Sequence, residues 1–151
     1  TDMQMIRELA NDDAAYRSLT LSWFEHSPLL DLLKKISQKR VKVIITTDHG
    51  TIRVKHASKV IGDRSTNSNL RYKQGRNLNY NAKEVFLIKN PHDAQLPKIN
   101  ISSNYIFAKE DTYFVYQNNY NQFVNYYNET FQHGGISMEE MIIPVVTYSS
   151  K

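Results

Sequence analysis

Two short segments of this chain carry residue types that hold metals. Asp48 and His49 stand side by side in Thr47-Asp48-His49-Gly50, and His133 precedes two glycines in Gln132-His133-Gly134-Gly135. Carboxylate oxygen and imidazole nitrogen are both common zinc ligands. They bind as ionised and neutral groups respectively, and only where ordered structure holds them together. The glycines leave room for unusual backbone conformation and close backbone approach. Taken alone, each segment reads as a hydrogen-bonded histidine more readily than as a ligand, and the two segments can meet only through the fold. Three donors are too few for two closed sites, so a metal centre here needs ligands from elsewhere. The remaining histidines read as structural: His26 lies at a helix end near Pro28, His56 continues an alternating strand, and His92 sits in a turn.

A second feature is electrostatic. Between positions 53 and 76 the cations Arg53, Lys55, Lys59, Arg64, Arg71, Lys73 and Arg76 face Asp63 alone. Such a cluster suits an anionic partner, and equally a solvated loop. Were the partner a phosphate ester, Arg64, Arg71, Lys73 and Arg76 would be the candidates for holding its phosphates, with Tyr72 or Tyr80 to stack on a base.

The elements that must position these residues follow from periodicity. Residues 2–25 read as helical, with Met5, Ile6, Leu9, Tyr16, Leu19 and Trp23 at steps of three and four and with Asp12 or Asp13 capping a second helix near Ala14. Ser27-Pro28 is a strong start for a helix from Leu29 to Lys39, whose stripe is Leu29, Leu32, Leu33 and Ile36. Val41, Val43, Ile44 and Ile45 form an apolar run of the kind buried on both faces of a parallel sheet, and ligands gather beyond the carboxyl ends of such strands. Asp48 and His49 lie at that end. Thr51 to Lys55 alternates as a half-wet strand that His56 to Lys59 extends, and 61–82 reads as a long irregular loop. Strands follow at 84–89 and, as a hairpin, at 105–108 and 113–116. A short helix is expected within 120–131, a capping box starts another at Ser137-Met138-Glu139-Glu140, and 142–148 closes as a strand.

Composition narrows the class. At 151 residues, length alone indicates one domain with room for a core. No cysteine is present, which excludes disulfides and thiolate metal sites. The lack of cysteine fits a cytoplasmic protein; no apolar run reaches the roughly 18 residues of a membrane span, and Thr1 to Ala10 has neither the basic start nor the apolar run of a secretory signal. The first residue is Thr1, which reads as a piece cut from something longer.

Thr47-Asp48-His49-Gly50, then His133-Gly134-Gly135, then Glu139-Glu140-Met141-Ile142-Ile143-Pro144-Val145 resemble the alkaline phosphatase superfamily. Within it, the string from Phe131 to Val145 is especially similar to PglZ domains, most of all the output domain of PorX-type response regulators from bacteria with type IX secretion. The similarity extends over essentially the whole chain, including Ser18 to Pro28. It implies an α/β fold, part of a three-layer α/β/α sheet with N-terminal helices and a C-terminal mixed-strand region. Residues 1–151 would be the C-terminal portion of one such domain. It also implies two zinc ions, with Asp48 and His49 on the metal that activates the nucleophile and His133 on its neighbour. The nucleophile, its accompanying aspartate and a further ligand pair would lie upstream, so this chain alone is expected to be inactive. Thr46 and Thr47 adjoin the site but do not match the nucleophile's place.

The function so implied is a zinc-dependent phosphodiesterase or phosphatase, acting on nucleotide-type esters such as an oligonucleotide or cyclic nucleotide. It would serve as a two-component output domain, homodimeric in the full protein. Two alternatives stand beside it: a non-catalytic signalling or dimerisation module that binds a partner regulator protein, and a single-stranded nucleic-acid binder using the basic, tyrosine-bearing loop.

Overall fold

Asp12 caps the first long helix: its backbone is extended and its carboxylate accepts from the Ala15 N–H at 2.7 Å. The computed structural model describes residues 5–6, 9–10, 12–63, 66–98 and 101–149. The described residues form two compact units. One comprises Thr1–Thr46 with Val145–Lys151, and the other Thr47–Pro144.

In the first unit, helix α1 (Asp13–Glu25) and helix α2 (Pro28–Ser37) are joined by Ser27, whose hydroxyl accepts from the Leu30 N–H while Pro28 occupies the first turn. Both starts match the sequence expectation. Strand β1 (Lys42–Thr46) pairs antiparallel with β9 (Val145–Ser149), Ile44 opposite Thr147. This differs from the expected strand buried on both faces: Ile44 is 61% exposed, as is much of β9. A two-stranded ribbon has only one neighbour per strand, so it covers neither face fully. For the same reason the α2 stripe is incompletely covered, with Leu33 and Ile36 half-buried and Leu29 and Leu32 exposed. An apolar groove of about 320 Å³ runs between Phe24, Leu33, Ile36, Val43 and Tyr148.

The second unit is richer in strands. β2 (Ile52–Arg53) pairs antiparallel with β8 (Phe131–Gln132), and β3 (His56–Val60) pairs parallel with β7 (Thr112–Tyr116). A three-stranded antiparallel sheet has the order β4-β6-β5, from β4 (Tyr72–Gly75), β6 (Asn104–Ala108) and β5 (Val85–Ile88). A 3-10 turn (Pro91–Ala94), helix α3 (Tyr120–Tyr127) and the one-turn helix α4 (Met138–Met141) complete it. The mixed α/β architecture agrees with the sequence reading. Val60, Val85, Ile106, Ala108 and Phe114 make one core, while Val54, Tyr113 and Val115 make a second under Tyr120, Val124 and Tyr127 of α3. Burial of such side chains, at roughly 25 cal/mol per Å² of apolar surface, is what holds the unit together.

Two expectations are corrected here. Strands 105–108 and 113–116 exist but do not form a hairpin: β6 pairs with β4 and β5, whereas β7 pairs with β3. Both strands are almost fully buried, so each takes apolar neighbours of its own. The stretch 61–82 is also not an irregular loop throughout, since it contains β4. Its alternation was hidden because the inward positions are Arg71, Lys73 and Gly75, all buried, while Tyr72 and Gln74 point the other way. A hydrophobic-period search cannot see a strand whose buried face is cationic.

Candidate functional site

The pairing of β2 with β8 sets Ile52 opposite Gln132. Past the end of that ladder one strand leads to Gly50 and His49, two and three residues from Ile52, and the other leads directly to His133. The two imidazoles consequently stack, with ring centroids 3.9 Å apart and planes 13° from parallel. Residues far apart in sequence are thus brought together by a ladder of two residue pairs.

Each member of the group has a defined partner. His49 Nδ1 lies 2.8 Å from the Gly50 carbonyl oxygen. A carbonyl can only accept, so Nδ1 carries a proton here, and in the neutral ring Nε2 is the nitrogen with the free lone pair. That Nε2 is 3.8 Å from Asp48 Oδ1, and the Asp48 carboxylate is 88% exposed. Thr47 donates its hydroxyl to the His49 carbonyl at 2.8 Å, tying the turn. His133 is exposed, and its carbonyl accepts from Asn69 Nδ2 at 3.3 Å.

Beneath this pair lies Glu140. Its carboxylate accepts from Arg71 Nε at 3.0 Å and Nη2 at 2.9 Å, from the Gly135 N–H at 2.9 Å and from the Ser137 N–H at 3.2 Å. The last contact belongs to the capping box expected from the sequence. The Glu140 carbonyl in turn accepts from the Gly50 N–H at 2.9 Å. One residue therefore fastens the Asp-His segment through its backbone and the His-Gly-Gly segment through its side chain. Burial alone would raise the Glu140 carboxyl, but the Arg71 guanidinium and the two N–H donors outweigh it and hold the carboxyl below the usual glutamate value. The glycines are needed sterically: a Cβ on Gly50 would stand 1.9 Å from the Glu139 carbonyl oxygen, and one on Gly135 would stand 2.5 Å from Glu140 Oε2. Gly134 adopts a φ of +99°, a region that side chains disfavour.

Of the four cations expected to meet phosphate, Arg71 and Lys73 are fully buried. Arg71 also donates to the Thr112 and Ala108 carbonyls. Lys73 Nζ donates to the Asn67 carbonyl at 3.0 Å and sits 4.4 Å from the centroid of the Tyr116 ring. Both heads are engaged with the protein's own groups. Arg76 is exposed, and Arg64 lies outside the described residues. The role of Glu140 was missed from sequence, where only its place in the capping box was legible.

A family model described as the BREX system PglZ alkaline phosphatase-like domain matches residues 1–148. The chain belongs to the PglZ family. No curated protein matches the PglZ chain. Its family is alkaline phosphatase-like, which indicates a phosphoesterase-type fold. No helix among the described residues is long and apolar enough to cross a membrane.

The metal implied by this superfamily can be tested against the donors present. The types are right: an ionisable carboxylate, and an imidazole whose tautomer is set by a carbonyl so that Nε2 is available, as metal-ligating histidines usually are. The number is incomplete, since no group of three or more such residues close enough to hold a metal occurs among the described residues. Lone pairs lie in the imidazole plane, so the near-parallel rings of His49 and His133 do not converge on one ion. Asp48 with His49, and His133 beside them, fit as partial ligand sets in the PglZ domain.

Proposed function

We propose that this chain forms one wall of a metal-dependent phosphoesterase centre. Asp48 and His49 would serve one zinc ion and His133 its neighbour, with the remaining ligands and the nucleophile supplied from outside this chain. The carrying observation is the His49–His133 stack beside Asp48. When bound, a pair of ions about 3.5–4 Å apart polarises the phosphoryl group and stabilises the attacking and leaving oxygens. The chain's own part is positional. Gly50 holds the His49 tautomer through its carbonyl, and Glu140 holds the backbone on which both histidines ride. The substrate class is a nucleotide-type phosphate ester, and the domain is the C-terminal portion of a larger PglZ domain. The string Phe131–Val145 favours an output domain of a response regulator linked to type IX secretion; the family description names the BREX system. The proposed chemistry is common to both settings.

The test is metal content and turnover of an intact domain carrying this chain. Zinc retained after dialysis should fall on Asp48→Ala with His49→Ala, and hydrolysis of a nucleotide diester should fall by at least about 100-fold, as for lost metal or electrostatic catalytic groups. An intact domain that holds no metal and whose activity survives both changes would overturn the proposal. In that case the non-catalytic partner-binding reading takes its place.

A further inference from the structure

One face of the β4-β6-β5 sheet carries an aromatic cleft whose lining includes Gly134, the neighbour of His133. Tyr72 lies opposite Phe107 and Gln74 opposite Tyr105, so these four residues share one face of the sheet. The rings of Tyr72, Tyr105 and Phe107 form a triangle with centroids 6.0–6.4 Å apart and planes within 27° of parallel. With Leu96, Pro97 and Gly134 they line a cleft of about 430 Å³. Gly134 follows His133, whose ring stacks on His49. Phe86, opposite Phe107 on β5 and 50% exposed, continues the aromatic row beyond the cleft.

We infer that this cleft seats the nucleobase of a nucleotide ester whose phosphate lies at the His49–His133 pair, an assignment that rests on the phosphoesterase reading above. Its volume is within the range of small-ligand pockets, roughly 300–1,000 Å³. Its floor is aromatic, and near-parallel rings offer a planar base a stacking partner. Two of the polar groups at hand hold the wall: Tyr105 Oη donates to the Pro97 carbonyl at 2.8 Å and Gln74 Nε2 approaches it at 3.5 Å. The rings recognise a base by stacking, which makes the cleft tolerant of base identity. Tyr72 is the least buried of the three rings, and it supplies the accessible face.

Titration of an intact, zinc-loaded domain carrying this chain with thymidine, thymidine monophosphate, adenosine monophosphate and ribose phosphate, followed by amide and imidazole NMR shifts, tests this. Both nucleotides should move the amides of Tyr72, Phe107 and Gly134, and ribose phosphate should leave Tyr72 and Phe107 unmoved. Tyr72→Ala should weaken nucleotide binding about tenfold, the usual scale for one stacked base. Tyr72→Phe should restore it, and ribose phosphate binding should be the same in all three proteins. Nucleotides that bind no better than ribose phosphate, or an unaffected Tyr72→Ala, overturn the cleft. Thymidine separates the two readings. Shifts at Tyr72 and Phe107 with thymidine, while no phosphate compound perturbs His49 or His133, support the cleft as a ring site and overturn the phosphoesterase site. Phosphate shifts at the histidines without any ring effect do the reverse.

Discussion

Arg71 and Glu140, 69 residues apart in sequence, meet through two parallel hydrogen bonds of 3.0 and 2.9 Å, with side-chain exposures of 0% and 1%. Breaking such a pair from one side leaves an uncompensated buried charge and costs about 3–5 kcal/mol. Glu140→Gln should lower the urea-unfolding free energy by an amount in that range. Arg71→Met combined with Glu140→Leu should recover only part of the loss, because the Gly135 and Ser137 N–H groups still lack their acceptor. A single-variant loss below about 1 kcal/mol, the scale of an exposed ion pair, would show that the pair is not buried in solution.

Gly50 is the point where the Asp-His segment touches α4. A methyl group there collides with the backbone of Glu139, which cannot swing aside as a side chain can. Gly50→Ala should destabilise the domain at the upper end of the usual overpacking range, about 1–3 kcal/mol. It should also separate the two histidine rings. Cross-relaxation between the ring protons of His49 and His133 is the measurement, and its persistence at full strength in the variant would refute the dependence.

Lys73 predicts a rise of stability in mild alkali. Burial lowers its pKa from 10.5 to about 8, so between those values the unfolded chain holds more protons than the folded one. Stability then increases with pH, by on the order of 2–3 kcal/mol across the window. Above about pH 10 the trend reverses: burial raises the phenols of Tyr105, Tyr113 and Tyr116, with nearby Tyr72, Tyr120 and Asp63 adding to it, and their unfolded forms ionise first. Lys73→Met should abolish the rise and stabilise the protein at neutral pH. The Asn67 carbonyl keeps the Tyr116 hydroxyl as its donor at 2.9 Å. Unfolding midpoints at pH 7, 8.5 and 9.5, to choose about three points across that window, decide it; a flat wild-type profile contradicts it.

Local signals accounted for the elements whose chemistry is local. Asp12 and Ser27-Pro28 start α1 and α2 as their cap residues require, and Ser137 to Glu140 closes its capping box. The apolar runs at 85–88, 105–108 and 113–116 are strands. Which strands pair was not legible, because β6 and β7 differ little in pattern and their partners are chosen by the faces they bury. β4 escaped notice for a related reason. The inward positions at its start, Arg71 and Lys73, are cations, and only a partner such as Glu140, or the Tyr116 ring for Lys73, makes that burial tolerable.

By itself the sequence determined the candidate donors, Asp48, His49 and His133, and the resemblance that named their family. It also determined where the glycines would allow close approach. Tertiary structure alone decided that the two histidines stack, that Glu140 fastens both segments, and that Arg71 and Lys73 turn inward. The physical reason is range. Caps and periodicity act over a few residues, whereas a buried charge pair and a stacked ring pair exist only once strands distant in sequence have paired.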